Sequence, residues 1–194
     1  MKLFVLALLV FLLLVATPRQ TGLTSHPEYT PLFQSAANKY FPPPYSQDLN
    51  VANWQRARAD AESNMTASAK SNVGALGLMQ IMPSTGRQMG LTPQQLMEPS
   101  KAIPASTAYV KWLTHYFPGL PSTQTQMYTD AGYNSGPGNV LKAELAVKAS
   151  GRKGPVDWEV TASYLPTSPA NQKQTKDYVA RIQLNISILS KEKK

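Results

Sequence analysis

Glu62 is the residue whose type and setting best suit proton chemistry in this sequence. It stands in Ala61-Glu62-Ser63, at the end of a segment whose spacing predicts a helix. A glycine-spaced stretch follows, Val73-Gly74-Ala75-Leu76-Gly77-Leu78-Met79-Gln80-Ile81-Met82-Pro83. Further on comes Ala131-Gly132-Tyr133-Asn134-Ser135-Gly136-Pro137-Gly138. A carboxylic acid beside a folded-back, glycine-permissive backbone is what acid-catalysed cleavage of a sugar chain needs. The acid must be partly buried to stay protonated near neutral pH. The backbone beside it must approach a flat polysaccharide closely, and glycine allows that. Ordinary glycosidases use two carboxylates. Here no second carboxylate lies in the stretch after Glu62, and helical spacing turns Asp60 to a different face. The pattern favours a single acid.

The blocks Glu62-Ser63, Gly77-Leu78-Met79-Gln80 and Gly132-Tyr133-Asn134-Ser135-Gly136-Pro137-Gly138 resemble, in order and spacing, the three signature motifs of the soluble lytic transglycosylase domain family of the lysozyme-like superfamily. A weaker block, Gln174-Thr175-Lys176-Asp177-Tyr178-Val179, resembles the closing helix of that domain. Three ordered blocks around one glutamate are far more specific than a lone Gly-Leu-Met-Gln. The resemblance implies a peptidoglycan lytic transglycosylase that cuts the MurNAc–GlcNAc β-1,4 bond. It implies that Glu62 protonates the glycosidic oxygen. As a carboxylate, Glu62 then takes the proton of the muramic C6 hydroxyl while that hydroxyl closes a 1,6-anhydro ring. The substrate N-acetyl group would replace the missing second carboxylate, and no cofactor or metal is implied.

The same resemblance implies a set of substrate-binding residues. Ser71 would position the acid and the N-acetyl group, and Gly77 would offer backbone groups to the sugar. Gln80 and Met82 would line the cleft, with Tyr133, Asn134 and Tyr178. The Tyr133 hydroxyl is expected to hold the Glu62 carboxyl in register. Plainer readings stand beside these: a turn serine at 71, a tongue turn at Gly77, core packing for Met82 and Tyr133, and packing alone for Tyr178. Four positions depart from the family pattern: Met65, Gln174, Ala102 and Ser106 stand where an aromatic, a glutamate, an asparagine and a glycine are usual. They bear on peptide-stem preference more than on the reaction.

The elements that must position these residues read as mainly helical, an α+β lysozyme-like domain over 46–190 with a small β-hairpin or tongue. Ser46 caps a predicted helix over 47–61, with Val51, Trp54, Arg58 and Ala61 on one face. Ending a helix at Glu62 sets its carboxyl against the negative end of the macrodipole, which favours the protonated form. Residues 66–82 read as the tongue. Short helices open at Pro83 and Thr92-Pro93. Longer ones run over 104–117 and 122–134, and another runs to about Ala149 after the Gly136-Pro137-Gly138 break. Residues 151–173 read as a loop. The last helix carries Tyr178, Ile182, Ile186 and Leu189 on one face.

The N-terminus and composition set the cellular context. Met1-Lys2 precedes 14 apolar residues, Leu3 to Ala16, which read as a secretory signal peptide or an uncleaved signal-anchor helix. Such a run is short against the roughly 20 residues of a spanning helix. Residues 17–45 are Pro-, Thr- and Ser-rich and read as a linker or arm, part of it packed through Tyr29, Phe33, Tyr40 and Phe41; residues 191–194 form a basic tail. The expected location is therefore the periplasm or cell envelope, with membrane contact only through the N-terminal segment. The 194 residues contain no cysteine, which excludes disulfides and thiol nucleophiles, and only two distant histidines, which argues against a zinc site. The net charge of +8 is spread along the chain with no nucleic-acid motif, and suits an anionic envelope. The expected partner is the peptidoglycan glycan strand, with an envelope-spanning machine or virion components as further candidates. Two rival functions are a hydrolytic muramidase of related fold and a wall-binding assembly component.

Overall fold

The structure, a computed structural model, describes residues 23, 26–43, 49–120, 122–154 and 156–191. The leader, the cap expected at Ser46 and the last three tail residues lie outside that set. Among the described residues no helix is long and apolar enough to cross a membrane.

The architecture is mainly helical, as expected. Helix α1 covers Thr30–Tyr40, inside the segment read as an arm. It lacks internal glycine, holds its one proline in the first turn, and buries Phe33, Ala36 and Ala37. Helix α2, Val51–Ser63, is rich in Ala and free of Gly and Pro. It lies between α1 and the long C-terminal helix. Its end is set by Asn64 and Met65, both at positive φ (53° and 62°). Asn64 caps the last carbonyls through its backbone N–H. Glu62 is therefore the penultimate helical residue, and the chain reverses directly after it.

The tongue over 66–82 is two tight turns joined by isolated antiparallel bridges, Lys70 to Leu76 and Leu76 to Ile81. In the first turn the Ser71 N–H donates to Ala75 O at 3.0 Å, and the Ser71 hydroxyl accepts from the Ala75 N–H at 2.9 Å. In the second, Leu76 and Ile81 exchange both backbone bonds, and Gln80 takes a φ of +46°.

Helix α3 covers Pro83–Gln88, and a 3-10 turn follows at Gln95–Met97. Helix α4 runs over Pro99–Thr114, so it begins five residues before the expected start. Pro99 occupies the first turn, where a missing N–H costs nothing, and the helix then tolerates Pro104 inside it. Helix α5, Ser122–Ser135, ends at Gly136, whose φ of +85° turns the chain into α6, Pro137–Ala149. The expected loop over 151–173 contains a short helix, α7, Trp158–Ala162, capped by the Asp157 side chain. Helix α8 covers Pro169–Lys191 and buries Val179, Ile182 and Leu189.

Three apolar clusters fill the interior. One joins α1, α2 and α8 around Phe41, Trp54 and Ile182; one seats the tongue through Leu78, Met79, Ile81 and Leu96; one lies among α5, α6, α7 and α8 around Tyr128 and Trp158. Fully buried side chains such as Trp54 and Phe33 each contribute about 1.5–3 kcal/mol. This packing fixes the ends of α2 and α5 beside the middle of α8.

Candidate active site

Those ends border a cleft of about 520 Å³. Its walls come from the end of α2 (Glu62), the tongue (Ser71, Val73, Gln80, Met82), the end of α5 (Tyr133, Asn134) and α8 (Gln174, Tyr178, Arg181). Three stretches far apart in sequence, α2 with the tongue, the end of α5, and α8, thus bring together seven of the eight residues picked out from the sequence.

Glu62 is partly buried at the end of α2. The Tyr178 hydroxyl donates to its Oε1 at 2.6 Å. Burial pushes the Glu62 carboxyl up to about 7; the Tyr178 hydrogen bond and the positive charge of Arg58 pull the other way without cancelling it. The main cause is desolvation, in line with the burial expected of such an acid. Burial likewise raises the Tyr178 phenol well above its ordinary value, so it stays a neutral donor. An acid poised near neutrality inside a cleft can give up a proton and take one back.

Both tyrosines line the cleft, but the contact to Glu62 falls to Tyr178. Tyr133 was expected to hold the Glu62 carboxyl. Instead its hydroxyl donates to Met79 O at 2.9 Å and lies 3.3 Å from the Ser106 hydroxyl. Tyr133 therefore anchors the tongue to α5, with Ser106 as a second polar contact that the usual glycine would not supply. Tyr178, the weaker candidate, touches the acid.

Gly77 is not among the cleft-lining residues. Its N–H donates to Ala69 O at 2.8 Å, and its carbonyl accepts from the backbone and side chain of Gln80. A Cβ there would stand 2.0 Å from Leu96 O, and its φ is +73°. The residue serves the tongue turn, and its backbone groups are not free for a sugar. Ser71 lines the cleft while closing its own turn through Ala75. Met82 is 40% exposed at the rim, so it is not core. Asn134 accepts from the Thr175 hydroxyl at 2.9 Å, which ties the end of α5 to α8.

The sequence reading missed several residues. Ser63 donates from its hydroxyl to Leu78 O at 2.9 Å and so binds the helix carrying Glu62 to the tongue. Arg58, fully buried one turn before Glu62, pairs with fully buried Asp130 of α5. Asp60 accepts from Arg181 at 3.0 Å and Asn185 at 2.8 Å, which locks α2 to α8. Asp177 also lines the cleft; it is well exposed and paired with Lys173. Only the i, i+4 spacing of Arg58 and Glu62 could have flagged any of these. Among the described residues no cluster of three or more His, Cys, Asp or Glu could hold a metal ion.

The chain matches the family described as "Transglycosylase SLT domain" over residues 53–154, which include Glu62, the tongue and Tyr133 but not α8. It is 31% identical over 146 residues to the membrane-bound lytic murein transglycosylase F of Desulfosudis oleivorans, covering 74% of this chain and 29% of that protein. It is 35% identical over 92 residues to the soluble lytic murein transglycosylase of Escherichia coli K12, covering 43% of this chain and 14% of that one. The chain spans less than a third of the length of these relatives. The crystal structure of the 70 kDa soluble lytic transglycosylase of E. coli superposes with a TM-score of 0.58 at 25% identity, covering 81% of this chain and 24% of that one. A complex of a 70 kDa soluble lytic transglycosylase with bulgecin A superposes with a TM-score of 0.57 at 26% identity, covering 81% of this chain and 24% of that one.

Proposed function

This chain belongs to the transglycosylase SLT domain family, and from that premise we propose that it is a peptidoglycan lytic transglycosylase cutting the MurNAc–GlcNAc β-1,4 bond at Glu62. One observation carries the reading: the Glu62 carboxyl, raised to about 7, sits in a cleft with a tyrosine hydroxyl on Oε1. Glu62 donates its proton to the glycosidic oxygen as the C1–O bond breaks. The N-acetyl oxygen of the muramic residue supports C1 in place of a second carboxylate. The C6 hydroxyl then attacks C1, its proton passes to the Glu62 carboxylate, and the acid is restored. No water is consumed, and the product ends in 1,6-anhydro-MurNAc. Tyr178 holds the carboxyl; Ser71, Gln80, Met82, Tyr133 and Asn134 bound the space for the two sugars.

The catalytic unit runs over 46–190, with helix α1 of the preceding segment packed on it. The Leu3–Ala16 run would export or anchor it in the cell envelope, and names such as membrane-bound and soluble murein transglycosylase among its relatives support that location. Local wall opening for an envelope-spanning machine or a virion fits a catalytic unit of this size.

The hydrolytic alternative has one observation in its favour, the Asp177 carboxylate in the same cleft. An inverting glycosidase would use such a group to activate water. Mass spectrometry of muropeptides released by the purified protein separates the two. The proposed reaction gives anhydro products lighter than the hydrolytic ones by one water. Hydrolytic products that disappear in Asp177→Asn would establish the alternative.

A further inference from the structure

Helix α4 and the turn after it carry a row of aromatic rings that the chemistry at Glu62 does not use. Tyr109 and Trp112, three apart, share one face of α4, and Tyr116 follows in the turn just past the helix end at Thr114. Tyr109 and Trp112 stack with centroids 5.4 Å apart and planes 18° from parallel. Tyr116 meets Trp112 edge-on at 4.9 Å. On its other side Tyr109 meets Tyr133, a cleft residue, edge-on at 5.5 Å. Trp54 and Trp158 are 0% and 2% exposed, whereas Trp112 is 47% exposed. A large ring left in water beside two others forms a contiguous apolar surface of the kind that receives a ligand.

The surface is continuous with the cleft. A small cavity of about 70 Å³ is lined by Gln80, Ile81, Met82, Thr85, Tyr109 and Tyr133. Three of these, Gln80, Met82 and Tyr133, also line the Glu62 cleft. A chain leaving the cleft over Met82 therefore meets Tyr109 first and Trp112 next.

We propose that Tyr109, Trp112 and Tyr116 form an outlying saccharide subsite, on which a glycan strand leaving the Glu62 cleft lays the apolar faces of its N-acetylated pyranose rings. The inference rests on reading the cleft as a glycan site and extends it outward. The chemistry matches: a pyranose presents a flat C–H face with hydroxyls at its edge. The row presents a partly exposed aromatic surface, with Trp112 the most exposed, and Thr85 and Gln80 line the cavity beside Tyr109. The ring centroids step 5.4 Å from Tyr109 to Trp112 and 4.9 Å from Trp112 to Tyr116, room for more than one sugar ring. A protein occupant would need no such continuity with the cleft.

The test is binding of soluble β-1,4-linked N-acetylglucosamine oligomers, two to eight sugars long, to the full chain carrying Glu62→Gln, so that nothing is cleaved. Trp112 is the exposed tryptophan, so its emission and its quenching by acrylamide report on this surface. Long oligomers are expected to shield Trp112, and short ones are not. Adding Trp112→Ala should weaken the long oligomers by roughly three- to tenfold, the scale of one aromatic stacking contact. It should leave the shortest ones and the thermal midpoint unchanged, and Trp112→Phe should restore part of the loss. Equal affinities with and without Trp112 at every length would overturn the inference while leaving the Glu62 reading intact if wall cleavage still needs Glu62. A protein that loses self-association on Trp112→Ala, with oligomer binding unaltered, would assign the face to a second copy instead. Failure to bind any oligomer, together with no Glu62-dependent cleavage, would remove both readings.

Discussion

At the residue scale everything turns on one proton. Glu62→Gln keeps the shape and still accepts from Tyr178, but it can neither give nor take a proton. Cleavage should fall by about a hundredfold to ten-thousandfold, with the fold intact. A turbidity assay retaining half the parental rate would require another acid. The same carboxyl makes stability depend on pH. Its folded pKa is about 7 against an ordinary 4.5. The folded state therefore holds this proton more tightly than the unfolded chain does. Below about pH 4.5 both states are protonated and the buried group costs nothing. The cost grows between 4.5 and 7 and is complete above 7. Glu62→Gln should thus gain about 1–3 kcal/mol over the parent at pH 8 and nothing at pH 4 in denaturant melts. Tyr178→Phe removes the bond that lowers this pKa. The fall in kcat/KM on the alkaline side of pH 7 should then move to higher pH, with a rate roughly tenfold lower at the optimum, as loss of one hydrogen bond of 0.5–1.5 kcal/mol suggests. An unmoved limb would mean that Tyr178 only packs. Glu62 as the candidate acid was legible from three local motifs. Which tyrosine touches it was not, because Tyr133 and Tyr178 lie 71 and 116 residues away in sequence and only the packing of α5 and α8 decides between them.

At the element scale the helices were legible where periodicity is strong and blurred where proline misleads. Pro104 reads as a helix start, yet α4 already runs from Pro99 and absorbs it. Residues 17–45 read as an arm packed in part through its aromatics; Phe33 and Phe41 do pack against α2 and α4, but the helix that positions them, α1, was hidden because Pro and Thr dominate its neighbourhood. The tongue was legible as irregular chain, since Gly74 and Gly77 punctuate it; what seats it was not. Its anchors are Ser63 to Leu78 O, Tyr133 to Met79 O, and the contact of Gly77 with Leu96. Gly77→Ala would set a Cβ against the Leu96 carbonyl at 2.0 Å and strain a φ of +73°. The tongue should then lift, with a loss of more than about 1 kcal/mol in stability and most of the cleavage. Hydrogen exchange should rise over 66–82 and not in α8. A wild-type melt for Gly77→Ala would mean that the tongue does not depend on this contact.

At the scale of the whole molecule the cleft stands on a buried polar layer that joins α2, α5 and α8. Arg58 and Asp130 are both fully buried, and the guanidinium lies between the rings of Trp54 and Tyr133 at 4.9 and 5.0 Å. Trp54 Nε1 donates to both Asp130 oxygens, and Gln55 takes another Arg58 proton. Composition could not reveal this layer, since Arg58 falls on the apolar face of α2 and its counter-charge lies 72 residues on. Burying two charges costs several kcal/mol each, so the pair is not itself a large source of stability, but removing either partner strands the other. Arg58→Met and Asp130→Ala should therefore each cost about 3–5 kcal/mol. In the cycle built from Arg58→Met and Asp130→Asn, the asparagine keeps an acceptor for Trp54. The double variant should be more stable than the sum of the singles by about 1–3 kcal/mol. Its wall cleavage should still fall below the parental rate, because Tyr133 loses the cation beneath its ring and Glu62 loses the nearby positive charge. A strictly additive cycle would show that Arg58 and Asp130 act separately, as packing groups, and that the floor of the cleft is held by the apolar clusters alone.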